Sequence, residues 1–84
     1  MPDVLYTLTL QVRDAPGVLV RIAHVFARRS CNVSSVQVKP HAGGIWSDMT
    51  IEARNVMRIT QIVQQLEKII DVKSVYVHNN ERKS

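Results

Sequence analysis

The sequence predicts an α+β domain in which a four-stranded antiparallel sheet carries two helices on one face. Four segments alternate apolar and polar residues with a period of two, which is typical of strands with one buried face. Two longer segments repeat apolar residues at helical spacing. These segments follow one another in the order βαββαβ, and a sheet with one polar face needs helices only on the other face.

The first half of the chain predicts a strand, a helix and a returning strand. Residues 6–13 alternate, with Leu8 and Leu10 on the inner face. A helix is expected over residues 16–29, where an apolar stripe includes Ile22 and Phe26. Residues 32–39 alternate again and predict the second strand.

The second half repeats this pattern after a turn at residues 40–44, which contain Pro and two Gly. Residues 45–54 predict the third strand, and Asn55 is a candidate cap for the second helix. The apolar stripe of that helix extends to Ile70, and residues 72–78 predict the last strand. With right-handed crossovers the two β-α-β halves form the ferredoxin-like arrangement.

Composition limits the size and the class of the protein. The 84 residues predict one domain, over residues 1–79, with a polar tail at 80–84. A chain of this length often gains stability by pairing with a second copy. The net charge of +4 is read as solubility and favourable helix termini rather than nucleic-acid binding. One cysteine, no secretory signal and no bilayer-length apolar run predict a cytoplasmic location without membrane contact.

Several functions that this fold supports are disfavoured by the residues present. A heavy-metal carrier needs a Cys-x-x-Cys loop after the first strand, whereas this loop contains only Asp14-Ala15-Pro16-Gly17. An RNA-binding sheet needs exposed aromatic residues on its central strands. The predicted third strand instead exposes Asp48, Thr50 and Glu52, and its carboxylates repel phosphate. The three histidines show no shared metal spacing, and no nucleophile has a base beside it, so a non-enzyme is expected. Cys31 is read as a packing residue, with a reactive thiol as the alternative.

The turn between the first strand and the first helix is the main candidate for a ligand site. A helix that begins with Pro and Gly leaves backbone N–H groups free at the positive end of its dipole. These donors suit an anion, and Asp14 adds a negative group beside them. A site with N–H donors and a carboxylate suits a zwitterion such as a free amino acid.

Three segments give the chain a family resemblance. They are Leu10-Gln11-Val12-Arg13-Asp14-Ala15-Pro16-Gly17-Val18-Leu19, Phe26-Ala27-Arg28-Arg29-Ser30-Cys31-Asn32-Val33 and Gln65-Leu66-Glu67-Lys68-Ile69-Ile70-Asp71-Val72. Together they resemble the ACT domain of the small regulatory subunit of acetolactate synthase (acetohydroxyacid synthase). The resemblance covers residues 4–78, and the chain is similar to the short, single-domain type.

The resemblance implies a regulatory protein without chemistry of its own. Such subunits bind and activate a large catalytic subunit, which carries thiamine diphosphate, magnesium and FAD. They also confer feedback by a branched-chain amino acid such as valine. In the family the effector lies at a homodimer interface, between the first loop of one chain and the second strand of its partner.

Carried onto this chain, the resemblance assigns Asp14, Gly17 and Val18 to the effector loop and Asn32 to the start of the second strand. The amides of Gly17 and Val18 would hold the carboxylate of the effector, and Asp14 would hold its ammonium group. The predicted effector site comprises Asp14, Ala15, Pro16, Gly17, Val18, Leu19, Asn32 and Val33. Structural roles are the alternative, with Asp14 as a helix cap and Asn32 as a left-handed turn residue.

The sequence also departs from the family pattern. Many members have Asn where this chain has Asp14, and Ser30-Cys31 replaces a small residue followed by an aromatic one. The carboxylate of Asp14 is expected to change effector preference or to weaken binding. Two other functions therefore stay open. One is a stand-alone ACT sensor of another enzyme, and the other is an activating subunit that binds no ligand.

Overall fold

A computed structural model describes residues 5–41 and 44–80 of the chain, without the side chains of residues 79 and 80. The predicted order βαββαβ is confirmed. The elements are β1 (Leu5–Arg13), α1 (Ala15–Arg28), β2 (Asn32–Pro40), β3 (Trp46–Arg54), α2 (Ile59–Glu67) and β4 (Val72–Asn80). Part of the predicted 40–44 turn, and residues 81–84 of the predicted tail, lie outside the described residues.

The four strands form one antiparallel sheet in the order β2-β3-β1-β4. β1 lies in the centre, so that Leu8 is opposite Ile51 of β3 on one side and Val77 of β4 on the other. β2 and β4 are the two edge strands. The predicted four-stranded sheet is therefore confirmed, and its edges are formed by the strands that follow α1 and α2.

A single apolar core lies between the sheet and the two helices. Val18, Ile22 and Phe26 of α1 and Ile62 and Leu66 of α2 are each at most 1% exposed. They pack against the alternating inner residues of the central strands, which are Leu8, Leu10, Val12, Met49, Ile51 and Ala53. Both helices therefore cover the same face of the sheet, as the one-sided alternation predicts. Neither helix is long and apolar enough to cross a membrane within the part of the chain that is described.

The second helix differs from its prediction at both ends. Asn55 is not its cap: Asn55 follows β3 in a left-handed conformation, and α2 begins at Ile59 after a left-handed Arg58. Between them the half-buried Val56 packs against the core, which holds the linking segment in place. At the other end α2 stops at Glu67, and Ile70 is 80% exposed rather than part of the apolar stripe.

A bulge in β2 decides which of its side chains face the helices. The register shifts between Val33 and Ser35, and the hydroxyl of Ser34 donates to the carbonyl of Glu52 at 3.3 Å. Val33 and Val36 are an odd number of residues apart, so a regular strand would point them to opposite faces. The extra residue places both on the helix side, opposite Ala53 and Ile51 respectively.

Candidate functional site

The predicted effector loop is a tight strand-to-helix turn at Asp14. Asp14 occupies the N-cap position of α1 with φ 56° and ψ 58°, a left-handed conformation that Asp adopts more readily than most residues. Pro16 lies in the first turn of the helix, where a missing N–H costs nothing. The turn therefore brings the chain from β1 directly into α1, with Asp14, Pro16 and Gly17 exposed.

The roles predicted for Val18 are not available in this geometry. Its backbone N–H donates to the carbonyl of Asp14 at 3.0 Å, which closes the first turn of the helix. Its side chain is 1% exposed and belongs to the core, so it cannot form a wall against a ligand. Helix geometry leaves the earlier N–H groups, at Ala15 and Gly17, without an intrahelical acceptor. The N–H groups of this turn without an intrahelical acceptor are therefore those of Ala15 and Gly17.

The carboxylate of Asp14 lies over Gly17. A Cβ placed on Gly17 would meet Oδ2 of Asp14 at 2.6 Å, closer than real Cβ atoms approach an oxygen. This carboxylate makes no capping hydrogen bond, so the alternative in which Asp14 acts as a side-chain cap is wrong. The surface beside Gly17 thus carries a negative charge, which attracts an ammonium group and repels a carboxylate.

Asn32 and Val33 lie at the opposite end of α1 from this loop. The helix has 14 residues, so it separates the two groups by about 21 Å at 1.5 Å per residue. Asn32 is exposed and begins β2, where it is opposite Arg54. The left-handed residue of that junction is Ser30, with φ 56°, so the alternative role for Asn32 is wrong.

One chain therefore does not bring the predicted effector residues together. Asp14, Pro16 and Gly17 are exposed at the start of α1, where Ala15 is half-buried, and Asn32 lies at the end of the helix. Leu19 and Val33 line a groove between α1 and β2. A ligand that touches both Gly17 and Asn32 requires the loop of one chain and the strand of another.

The groove between α1 and β2 is a feature that the sequence analysis missed. It has a volume of about 230 Å³. Its lining is apolar throughout: Leu19, Ile22, Ala23, Phe26, Ala27, Cys31, Val33, Val36 and Ile51. On its β2 side Val33 and Val36 are 41% and 36% exposed although they face the helices, and Val38 farther along the strand is 42% exposed. The small residues Ala23 and Ala27, four apart on α1, are the sequence signal that could have located it.

Cys31 lies in this groove as a half-buried thiol. Its sulfur donates to the carbonyl of Arg29 at 3.6 Å, a weak contact within the helix-to-strand turn. The sulfur packs beside the apolar lining, as the packing interpretation predicts.

The open face of the sheet carries the aromatic residues Trp46 and Tyr76. Trp46 lies beside two cations, with the guanidinium of Arg13 5.5 Å and the ammonium of Lys73 5.3 Å from its ring centroid. Arg13 is held in turn by Asp71, with Nε to Oδ1 at 2.9 Å. Tyr76 is 63% exposed and makes an edge-on contact with His78. Both aromatic residues of this face therefore contact neighbouring side chains of the sheet.

Within residues 5–41 and 44–80, no group of three or more His, Cys, Asp or Glu side chains is placed to hold a metal ion. His24 is exposed on α1, in agreement with its predicted position on the polar face of a helix. His41 follows β2 and lies 2.9 Å from a carboxylate oxygen of Asp48. This contact links the end of β2 to β3.

Comparisons with known proteins agree with this architecture. The family model described as AHAS small subunit-like ACT domain matches residues 8–74. The chain is 38% identical over 71 residues to the acetolactate synthase small subunit of Mycobacterium leprae, covering 83% of this chain and 42% of that protein. It is 32% identical over 68 residues to the acetolactate synthase isozyme 1 small subunit of Escherichia coli K12, covering 81% and 71%.

Solved structures give the same result. The acetolactate synthase small subunit of Thermotoga maritima superposes with a TM-score of 0.72 and 30% identity, over 87% of this chain and 46% of that one. The ACT domain from GTP pyrophosphokinase of Chlorobium tepidum superposes with a TM-score of 0.66 over 92% of this chain and all of that one. At 18% identity this second likeness concerns the fold alone. The chain spans less than half the length of the Mycobacterium leprae and Thermotoga maritima proteins.

Proposed function

The chain belongs to the AHAS small subunit-like ACT domain family, and we propose that it is a non-catalytic regulatory subunit of acetolactate synthase. In this proposal it binds the catalytic subunit and raises its activity. Relatives that carry the name acetolactate synthase small subunit support this function.

The proposed assembly is a homodimer in which α1 and β2 of one chain pack against the same elements of the other. The observation that carries it is the placement of the effector residues at opposite ends of α1, about 21 Å apart. A two-fold axis across the middle of α1 would bring the Gly17 loop of one chain beside Asn32 of its partner. The same packing would cover the apolar groove and the exposed edge of β2.

The proposed effector is a free branched-chain amino acid, with valine first. The N–H groups of Ala15 and Gly17 would receive its carboxylate at the start of α1. The partner chain would contribute the amide of Asn32 and an apolar contact from Val33. Feedback then follows if the effector binds one dimer arrangement more tightly, with a coupling free energy of about 1–3 kcal/mol.

The cofactors belong to the catalytic subunit in this proposal. Thiamine diphosphate, magnesium and FAD would be bound there and would supply the chemistry of the reaction. The regulatory chain acts only on the affinity and the activity of its partner. Its own contribution is a surface and an effector site, and neither requires a catalytic group.

Reconstitution with the catalytic subunit tests the proposal. The rate of acetolactate formation is measured with and without this chain, and then with millimolar valine, leucine or isoleucine. We expect activation by the chain and inhibition by one amino acid. Gly17→Asp should retain activation and lose the inhibition, because its side chain and that of Asp14 would place two carboxylates at the effector site. An unchanged rate on addition of the wild-type chain would exclude the activating role.

A second function, an activating subunit without an effector, is favoured by one observation. The carboxylate of Asp14 lies over Gly17, where it opposes the carboxylate of an amino acid. Activation of the catalytic subunit that no branched-chain amino acid reverses would support this alternative. A stand-alone sensor of another enzyme is distinguished in the same experiment, since that chain would bind an amino acid and leave acetolactate synthase unchanged.

A further inference from the structure

The exposed basic residues of α1 lie together on one flank of the helix. Arg21, His24 and Arg28 are spaced by three and four residues, so they lie one above the other, and all three are exposed. This flank is rotated by roughly a third of a turn from the flank of Ala23 and Ala27 that lines the groove. We define Arg21, His24 and Arg28 as the basic flank.

No acidic side chain balances the basic flank. Helix α1 contains no Asp or Glu between Ala15 and Arg28, and α2 contains one, Glu67. Within the described part of the chain, neither Arg21 nor Arg28 lies within ion-pair distance of a carboxylate. Like charges on one helix flank repel one another, so the fold gains nothing from placing Arg21 on the same flank as Arg28. Arg28 alone has a structural reason, because it lies in the last turn, where the helix dipole favours a cation.

The cations on the open face of the sheet are in the opposite situation. Arg13 pairs with Asp71 at 2.9 Å, and Lys73 lies 5.3 Å from the ring centroid of Trp46. Lys39 is opposite Asp48 in the β2–β3 register. Arg13 and Lys73 therefore contact side chains of the same molecule, whereas neither Arg21 nor Arg28 has a carboxylate within ion-pair distance among the described residues.

We propose that the basic flank docks an acidic surface of the catalytic subunit. This inference rests on the proposed function, which makes the partner a protein. Complementary charge would speed association and fix the orientation of the two subunits. The basic flank and the groove are on different sides of α1, so a dimer that covers the groove would leave both basic flanks free. One dimer could then engage two catalytic subunits.

Charge reversal of the basic flank tests this inference in the reconstituted complex. Arg21→Glu/Arg28→Glu should weaken binding to the catalytic subunit by about tenfold or more at low salt, and the wild-type affinity should fall as salt rises. The matched control, Lys39→Glu/Lys73→Glu, reverses two charges on the open face of the sheet and should bind as the wild type does. Circular dichroism checks that each variant folds, and Arg21→Glu alone serves if the double variant does not.

The outcomes separate this inference from the proposed function. A wild-type chain that does not bind the catalytic subunit would overturn both. Wild-type binding that Arg21→Glu leaves unchanged would overturn the docking surface alone, and a loss confined to Lys39→Glu/Lys73→Glu would move that surface to the sheet. Retention of the chain on duplex DNA at about 150 mM salt that Arg21→Glu abolishes, with catalytic-subunit binding intact, would assign the flank to nucleic acid instead.

Discussion

The two edge strands of the sheet occupy equivalent positions in the two halves of the chain, yet they are covered very differently. On β4 the inner residues Val75 and Val77 are half-buried and pack against the core, with α2 above them. On β2 the inner residues Val36 and Val38 are 36% and 42% exposed, and Val36 lines an open groove. The α2–β4 half is therefore complete within one chain, and the α1–β2 half exposes the kind of surface that a partner covers.

The bulge in β2 increases this difference. Without it Val33 and Val36 would face opposite sides of the sheet, and the groove would lose one of its walls. The β1–β4 pair also has an irregularity, between Gln11 and Val12, but it leaves Val75 and Val77 in the core. The two edges thus differ in exposure, and the extra residue of β2 contributes to that difference.

The largest expected effect comes from placing a charge on each edge in turn. Val75→Asp on β4 should lower the free energy of unfolding by about 2–4 kcal/mol, because it puts an unpaired carboxylate against the core. Val36→Asp on β2 should leave the chain folded and convert the proposed homodimer into a monomer. Denaturant unfolding measures the first effect, and sedimentation velocity measures the second. A Val36→Asp protein that still sediments as a dimer would place the dimer interface elsewhere.

The thiol of Cys31 reports on the same groove without changing its shape. If a second chain covers the groove, alkylation of Cys31 should be slower in the wild type than in Val36→Asp, which leaves the groove open. Mass spectrometry at several times after addition of iodoacetamide gives both rates. Denatured protein supplies the rate of the free thiol. Equal rates in the two folded proteins would mean that the groove is open in the assembled state.

The fold was predictable from the sequence because local pattern and global arrangement agree. Alternation in residues 6–13 and 45–54 and helical spacing in residues 16–29 placed the core residues correctly. The start of α2 was not predictable in the same way. Asn55 is a good cap by residue type, but the packing of Val56 moves the helix start to Ile59, after an Arg that has no preference for a left-handed conformation.

The candidate site was predictable only in part, because it depends on which backbone N–H groups are free and on where side chains lie in the folded turn. The sequence places the Asp14-to-Gly17 turn at the start of α1 and Asn32 after its end, and the length of the helix separates them. The bonded N–H of Val18 and the position of the Asp14 carboxylate become visible only in the folded turn. The family resemblance identifies these residues, but only the folded structure shows which of their N–H groups lack a hydrogen-bond acceptor.

A smaller effect is expected from neutralising the carboxylate over Gly17. Asp14→Asn keeps a residue that tolerates the left-handed conformation and removes the charge that opposes the effector. Binding of valine to the dimer should tighten by roughly 1 kcal/mol, or about fivefold in Kd, since the group is exposed and screened. Isothermal titration measures this change. Asp14→Glu is the control that keeps the charge, and tighter binding by that variant as well would show that the charge does not oppose the ligand.

The smallest effect is expected at Arg58, a left-handed residue directly before α2. Arg58 has φ 59°, a conformation in which an L-residue with a long side chain is strained and glycine is not. Arg58→Gly should therefore stabilise the domain by roughly 0.5 kcal/mol, the strain relief being partly offset by the greater freedom of glycine in the unfolded chain. At this size of domain the expected rise in Tm is about 2–4 °C.

Arg58→Lys keeps the strain and the charge and should leave Tm unchanged. Asn55→Gly should raise Tm by less, because Asn already tolerates this conformation. A Tm that falls in Arg58→Gly would mean that the arginine side chain contributes more to the start of α2 than its backbone strain costs.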